Sequence, residues 1–148
     1  MRRTILVTVV IGAVVVGAAG WAFGSKDVSA PQTIHGAFVG TETWMQDQGP
    51  SGPSIADEQT TSGYFLVNGK RAGVAGFTCW QHHGFTLCGG TGKLSGGQIS
   101  FQGMSFDNSN RHVWSITGGT QSYDNARGVV QIQDVSPRRS RITLEILP

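Results

Sequence analysis

Charge is scarce in this chain. Only 14% of the 148 residues are Asp, Glu, Lys or Arg, and the formal net charge is +2. Two of the 11 basic residues are Arg2 and Arg3; without them the basic and acidic counts are equal at 9. A near-neutral chain offers phosphate backbones no electrostatic footprint, so nucleic acid is not an expected partner. Arg138, Arg139 and Arg141 form the one basic knot, which reads as a solvated strand entrance. Cysteine is also sparse, with Cys79 and Cys88 alone. That excludes a Cys-rich zinc site or a disulfide-dense miniprotein. No G-x-S-x-G, P-loop or H-x-x-x-H spacing occurs, so these nucleophile, phosphate and metal signatures are missing. No segment after residue 30 carries a helical period of useful length.

Glycine, by contrast, is abundant. The 22 glycines are about twice the average usage of roughly 7%. They have no G-x-y period and fall between short runs rich in Val, Ile, Thr, Phe and Trp, the pattern of many strands joined by tight turns. Eight strands are predicted: 33–44, 59–67, 71–81, 85–94, 98–106, 112–117, 128–135 and 141–147. Asn68-Gly69 between two of them is a strong hairpin signal, because a type I′ turn needs two residues at positive φ. The expected fold is all-β, an eight-stranded antiparallel barrel, since closure removes exposed edges. A two-sheet sandwich is the alternative. An eight-stranded interior is either filled by side chains or holds one small ligand.

Residues 1–30 read as a targeting segment. Arg2 and Arg3 precede an uncharged stretch with a Val- and Ile-rich centre, followed by the small residues Gly17 to Gly20. This is the layout of a secretory signal peptide. The run is also nearly long enough to span a bilayer, so an uncleaved transmembrane anchor helix stands as the alternative. Either form places the 31–148 domain in an extracytoplasmic location, secreted or anchored, and touching a membrane only through this segment.

Cys79 and Cys88 lie in FTCWQHHGFTLC. Folding this stretch as a hairpin about His83-Gly84 sets Cys79 opposite Cys88. They form a non-hydrogen-bonded pair whose Cα atoms lie roughly 4.5 Å apart, at the close end of disulfide geometry. A disulfide is therefore expected in an oxidising compartment. A reactive thiol or metal pair is the rival reading, and no metal site is expected. Histidine's tolerance of positive φ helps the turn.

The stretch from Asn68 to Gly128 carries NGKRAG, then FTCW and FTLCGGTGKLSGGQISFQG, then SITGGTQSYDNARG. In order and spacing it resembles the allene oxide cyclase-like and dirigent barrel superfamily, in its secreted bacterial form. Ile116–Gly128 and Leu94–Gly103 are the most specific pieces. The resemblance implies a barrel whose Gly118, Gly119 and Gly128 serve backbone geometry and whose Tyr123 and Arg127 tie a corner. It further implies a cofactor-independent cyclase. Such a barrel binds a small apolar metabolite and directs stereoselective ring closure, by cyclisation or cycloaddition, as in bacterial secondary metabolism. A homo-oligomer, dimer or trimer, is implied as well. Two departures set the chain apart from the plant cyclases. Thr61-Ser62-Gly63 stands where they carry an asparagine, and Gln121 stands where glycine usually follows T-G-G-T. No catalytic residue is carried over from that motif.

From the residues themselves, Glu42 is the candidate catalytic acid or base. Strict alternation puts it on one strand face with Ile34, Phe38 and Trp44, and desolvation there would raise its pKa. The plant enzymes also place a glutamate on their first strand. Phe38, Trp44, Trp80, Phe101 and Trp114 are candidate cavity walls, with core filling as the alternative role. Tyr64 is a candidate polar handle. Two other functions remain open: a binding or dirigent-like steering barrel without chemistry, and a structural envelope protein with a packed interior.

Overall fold

The computed structural model describes residues 30–52 and 54–148. The expected targeting segment lies almost wholly outside these residues. Among them no helix is long and apolar enough to cross a membrane.

Eight strands follow one another in chain order: β1 (Gln32–Gln46), β2 (Glu58–Val67), β3 (Lys70–Gln81), β4 (Phe85–Leu94), β5 (Gly97–Phe106), β6 (Arg111–Gly119), β7 (Arg127–Ser136) and β8 (Arg139–Leu147). Each pairs antiparallel with the next, and β8 pairs with β1, closing the barrel. The barrel, not the sandwich, is the architecture. Turn chemistry explains the short connections. Asn68 (φ +51°) and Gly69 (φ +74°) both take positive φ, as a type I′ turn requires. At the β3–β4 turn only Gly84 does (φ +78°), so His83 needs no strained backbone.

The two ends of the barrel differ. At one end the β6–β7 connection folds inward as a short 3₁₀ turn, Gln121–Tyr123. Tyr123 and Ala126 are buried there with Ile116 and Ile146. Burial raises the pKa of the Tyr123 phenol. Arg127 ties this corner as the resemblance implies, donating from Nη1 to the carbonyls of Thr117, Asn125 and Ala126. Gln121 takes φ +58°, which is why glycine suits that position. We call this end the floor.

At the other end lie the long β1–β2 loop and the turn at Pro137-Arg138. Here β1 carries a bulge. Gly40 pairs with Gly63, and Glu42 with Ser62, leaving Thr41 unmatched. One extra residue reverses the facing of everything after it.

Gly128 sits at φ +132°, and a Cβ there would run into the Glu145 carbonyl oxygen. Gly128→Ala is expected to lower stability by more than about 1 kcal/mol, read as a drop in the urea midpoint with an unchanged denaturant slope.

Candidate functional site

Inside the barrel is a cavity of about 570 Å³. This is within the range of small-molecule sites, roughly 300–1,000 Å³. Its lining runs from Leu94 and Ile99 toward the floor to Ser136, Pro137 and Arg138 at the other end, the mouth. Alternation along each strand builds the wall. β2 contributes Gln59, Thr61 and Phe65, β3 contributes Ala75, Phe77 and Cys79, and β6 contributes His112 and Trp114.

Four aromatic rings form a continuous belt. Phe38 and Phe77 lie 5.7 Å apart between centroids, Phe77 meets Trp114 edge-on at 5.6 Å, and Trp114 stacks on Phe101 at 5.8 Å. The Trp114 ring crosses Gly103, where any side chain would collide with it. Its indole N–H donates to Ser105 Oγ at 3.3 Å. The buried indole therefore has the partner it needs.

Toward the mouth the lining becomes polar, with Thr43, Gln59, Thr61, Thr86, Ser105, His112 and Asp134. His112 is 9% exposed, and its Nε2 lies 3.3 Å from Asp134 Oδ2. Asp134 is 46% exposed and also accepts a 2.6 Å hydrogen bond from Ser140 Oγ. His112 Nδ1 is buried with no partner among the described residues. With Nε2–H donating to the carboxylate, Nδ1 of the neutral ring is a bare acceptor. Leaving such an atom unsatisfied costs about 1–3 kcal/mol.

Three of the six candidate wall and handle residues read from the sequence line the cavity: Phe38, Phe101 and Trp114. Trp44, Trp80 and Tyr64 do not, and neither does the candidate acid or base Glu42. Glu42 lies opposite the outward Ser62, not on the inner face with Phe38. The Thr41 bulge is the reason: it brings Thr43 inward and turns Glu42 and Trp44 out. Trp44 is 56% exposed. Trp80 is 43% exposed, because its neighbour Cys79 takes the inner position. Tyr64 also faces outward, under the Arg71 guanidinium 3.7 Å above its ring, while Phe65 takes the cavity position. Cys79 and Cys88 form the expected disulfide (S–S 2.02 Å), with Cα atoms 4.0 Å apart. Both line the cavity.

Sequence reasoning missed Phe77, Ser105, His112 and Asp134. For His112 a signal existed. It lies two residues before Trp114, and an inward Trp114 makes His112 inward as well.

The chain matches no family model and none of the curated proteins. Among solved structures it is similar to a pyocyanin demethylase, at 23% identity and TM-score 0.72, over 78% of this chain and 100% of that one. It is similar to the pterocarpan synthase dirigent protein GePTS1, at 17% identity and TM-score 0.67, over 78% of this chain and 86% of that one. It is also similar to the Diels–Alderase AbmU from Streptomyces koyangensis, at 12% identity and TM-score 0.63, over 79% of this chain and 63% of that one. Likeness at these identities speaks for the fold alone, the closed eight-stranded antiparallel barrel.

Asp57 organises the loop beside the mouth. Its carboxylate accepts the N–H groups of Gln48 and Ser54, each at 2.8 Å, and the Ser54 hydroxyl at 2.9 Å. The backbone bonds from Gln48 and then Ser54 hold its pKa below the ordinary carboxylate value. Folding therefore favours the ionised form. The resulting loop stability is fully present above the ordinary value of about 3.9 and is lost as pH falls through the lower folded value. Amide-exchange protection of Gln48 and Ser54 should accordingly fade on acidification below about pH 4. In Asp57→Ala it should already be low at neutral pH.

Proposed function

We propose that this barrel holds an apolar small metabolite in its end-open cavity and directs the metabolite's ring closure or coupling. The observation that carries the reading is the cavity itself, about 570 Å³, lined by the Phe38–Phe77–Trp114–Phe101 belt and open at a polar mouth. Such a wall fixes a flexible chain in a reactive shape, and orientation alone can supply a large part of a barrier. The names of two similar structures, a Diels–Alderase and a dirigent protein, support this kind of chemistry. An open interior also speaks against a purely structural envelope barrel.

In this reading the chemistry is cofactor-independent. Where ring closure needs a proton moved, His112 serves as acid or base and Asp134 orients its ring. Glu42 has no part, since it stands on the outer wall. An extracytoplasmic location belongs to the same proposal, with the segment before residue 31 as signal or anchor. So does a dimer or trimer formed through the outer wall. There Trp80, Leu87 and Met104 oppose one another on β3, β4 and β5, all exposed.

A second reading has its own observation. The ionisable residues of the lining, His112, Asp134 and Arg138, all sit toward the mouth, and the deep wall is apolar. That suits a steering or carrier barrel without proton transfer.

The test uses linear polyenes bearing a tethered alkene, with stereoisomer ratios of the cyclised product read by chiral chromatography. The wild-type protein should shift the ratio away from that in buffer. Ile132→Trp, which fills the cavity, should abolish both binding and shift. Glu42→Gln should change neither. A His112→Ala protein that binds normally but converts at least about tenfold more slowly marks acid–base catalysis, which typically contributes 10²–10⁴. Binding with no change of ratio in any variant supports the carrier reading. Absence of binding overturns both.

A further inference from the structure

The Cys79–Cys88 disulfide faces the barrel interior. It joins strands already paired without interruption from Gly73↔Leu94 to Gln81↔Thr86. Its sulfurs belong to residues of the inner face, so this hydrogen-bonded ladder stands between them and the solvent outside the barrel. Both cysteines line the cavity, beside Phe77, Thr86 and Gln59. Cys88 is 4% exposed and Cys79 is the more open of the two. Thr86 Oγ1 lies 3.7 Å from Cys88 Sγ.

We propose that this disulfide is a thiol-exchange site reached only through the barrel mouth, and that whatever fills the cavity controls access to it. Disulfides open by attack of a thiolate on sulfur, so access decides which reductants act. A protein reductase must bring its own cysteine to the bond, and a 570 Å³ interior cannot admit a protein domain. A small dithiol can enter. Its thiolate attacks Cys79 Sγ, forming a mixed disulfide, and the S–S bond breaks with the electron pair passing to Cys88. The Thr86 hydroxyl is placed to hydrogen-bond the departing Cys88 thiolate, which then takes a proton from water. The second thiol of the reductant attacks the mixed disulfide, releasing Cys79 as a thiol and leaving the dithiol as a cyclic disulfide. Two electrons and two protons pass from dithiol to protein. A molecule lying against the aromatic belt covers the same sulfurs. Occupancy of the cavity and redox state of its wall are therefore linked.

The test follows reduction of the folded full-length chain by alkylation and mass spectrometry. Dithiothreitol is compared with thioredoxin kept reduced by its reductase, at matched reducing potential. The neutral fluorophore N-phenyl-1-naphthylamine serves as the cavity-filling probe. Dithiothreitol should reduce the bond and thioredoxin should not. Probe at about ten times its Kd should slow dithiothreitol roughly tenfold, by simple occupancy. Thr86→Val should slow dithiothreitol several-fold while the discrimination against thioredoxin persists. Equal rates with the two reductants overturn the proposal. So does a bound probe that gives no protection. A probe that fails to bind while thioredoxin is still excluded counts against the ligand cavity and supports the mouth as the access route.

Discussion

The pairing of β1 governs the shape of the interior. Through Gln32–Val39 this strand is held against β8, and through Ala37–Gln46 it is held against β2. The first pairing closes the cylinder and fixes an eight-stranded circumference, which leaves room inside for one small ligand. The second runs on past the seam, so the far part of β1 stands beside β2 alone. Gly40 N–H meets the Arg138 carbonyl oxygen where the seam ends. One side of the mouth is consequently a tall ribbon and the other a low turn. The Asp57-centred loop crowns the ribbon, tied to β3 through Ala56 N–H and the Gln81 carbonyl.

The same strand explains how far the sequence could be read. The strands were legible because β-rich runs alternate with residues that turn the chain for stated reasons, as at Asn68-Gly69. The disulfide was legible because counting outward from a two-residue turn fixes which residues oppose each other. Facing was less legible. Pairing across a hairpin does not say which side of the sheet a pair occupies, so the Cys79–Cys88 register left Trp80 free to be placed inward. In β1 the alternation itself changes phase at Thr41. No residue type marks that bulge in GTET, and one unmatched residue moved Glu42 and Trp44 from the wall of the cavity to the outside. Phe38, before the bulge, and Phe101 and Trp114, on other strands, kept their expected side.

The contact between His112 and Asp134 eluded the sequence for a different reason. His112 and Asp134 are 22 residues apart on β6 and β7, and their meeting depends on the register of those strands. His112 pairs with Ile132, which puts Asp134 one step further along the same face toward the mouth. Motif spacings capture residues brought together by one turn of chain. They do not capture residues brought together by a ladder.

Closure of the barrel also has a consequence for how the domain can be attached to anything else. Gln32 pairs with Ile146, so the first and last strands start and finish side by side, at the Tyr123 floor and away from the mouth. A tether, fused domain or solid support joined at Gln32 or Leu147 departs from the floor. The β-barrel can thus be immobilised by one of these strand ends with its opening turned outward, and its strand order can be cut and rejoined across the neighbouring ends of β1 and β8 without placing a linker over the entrance.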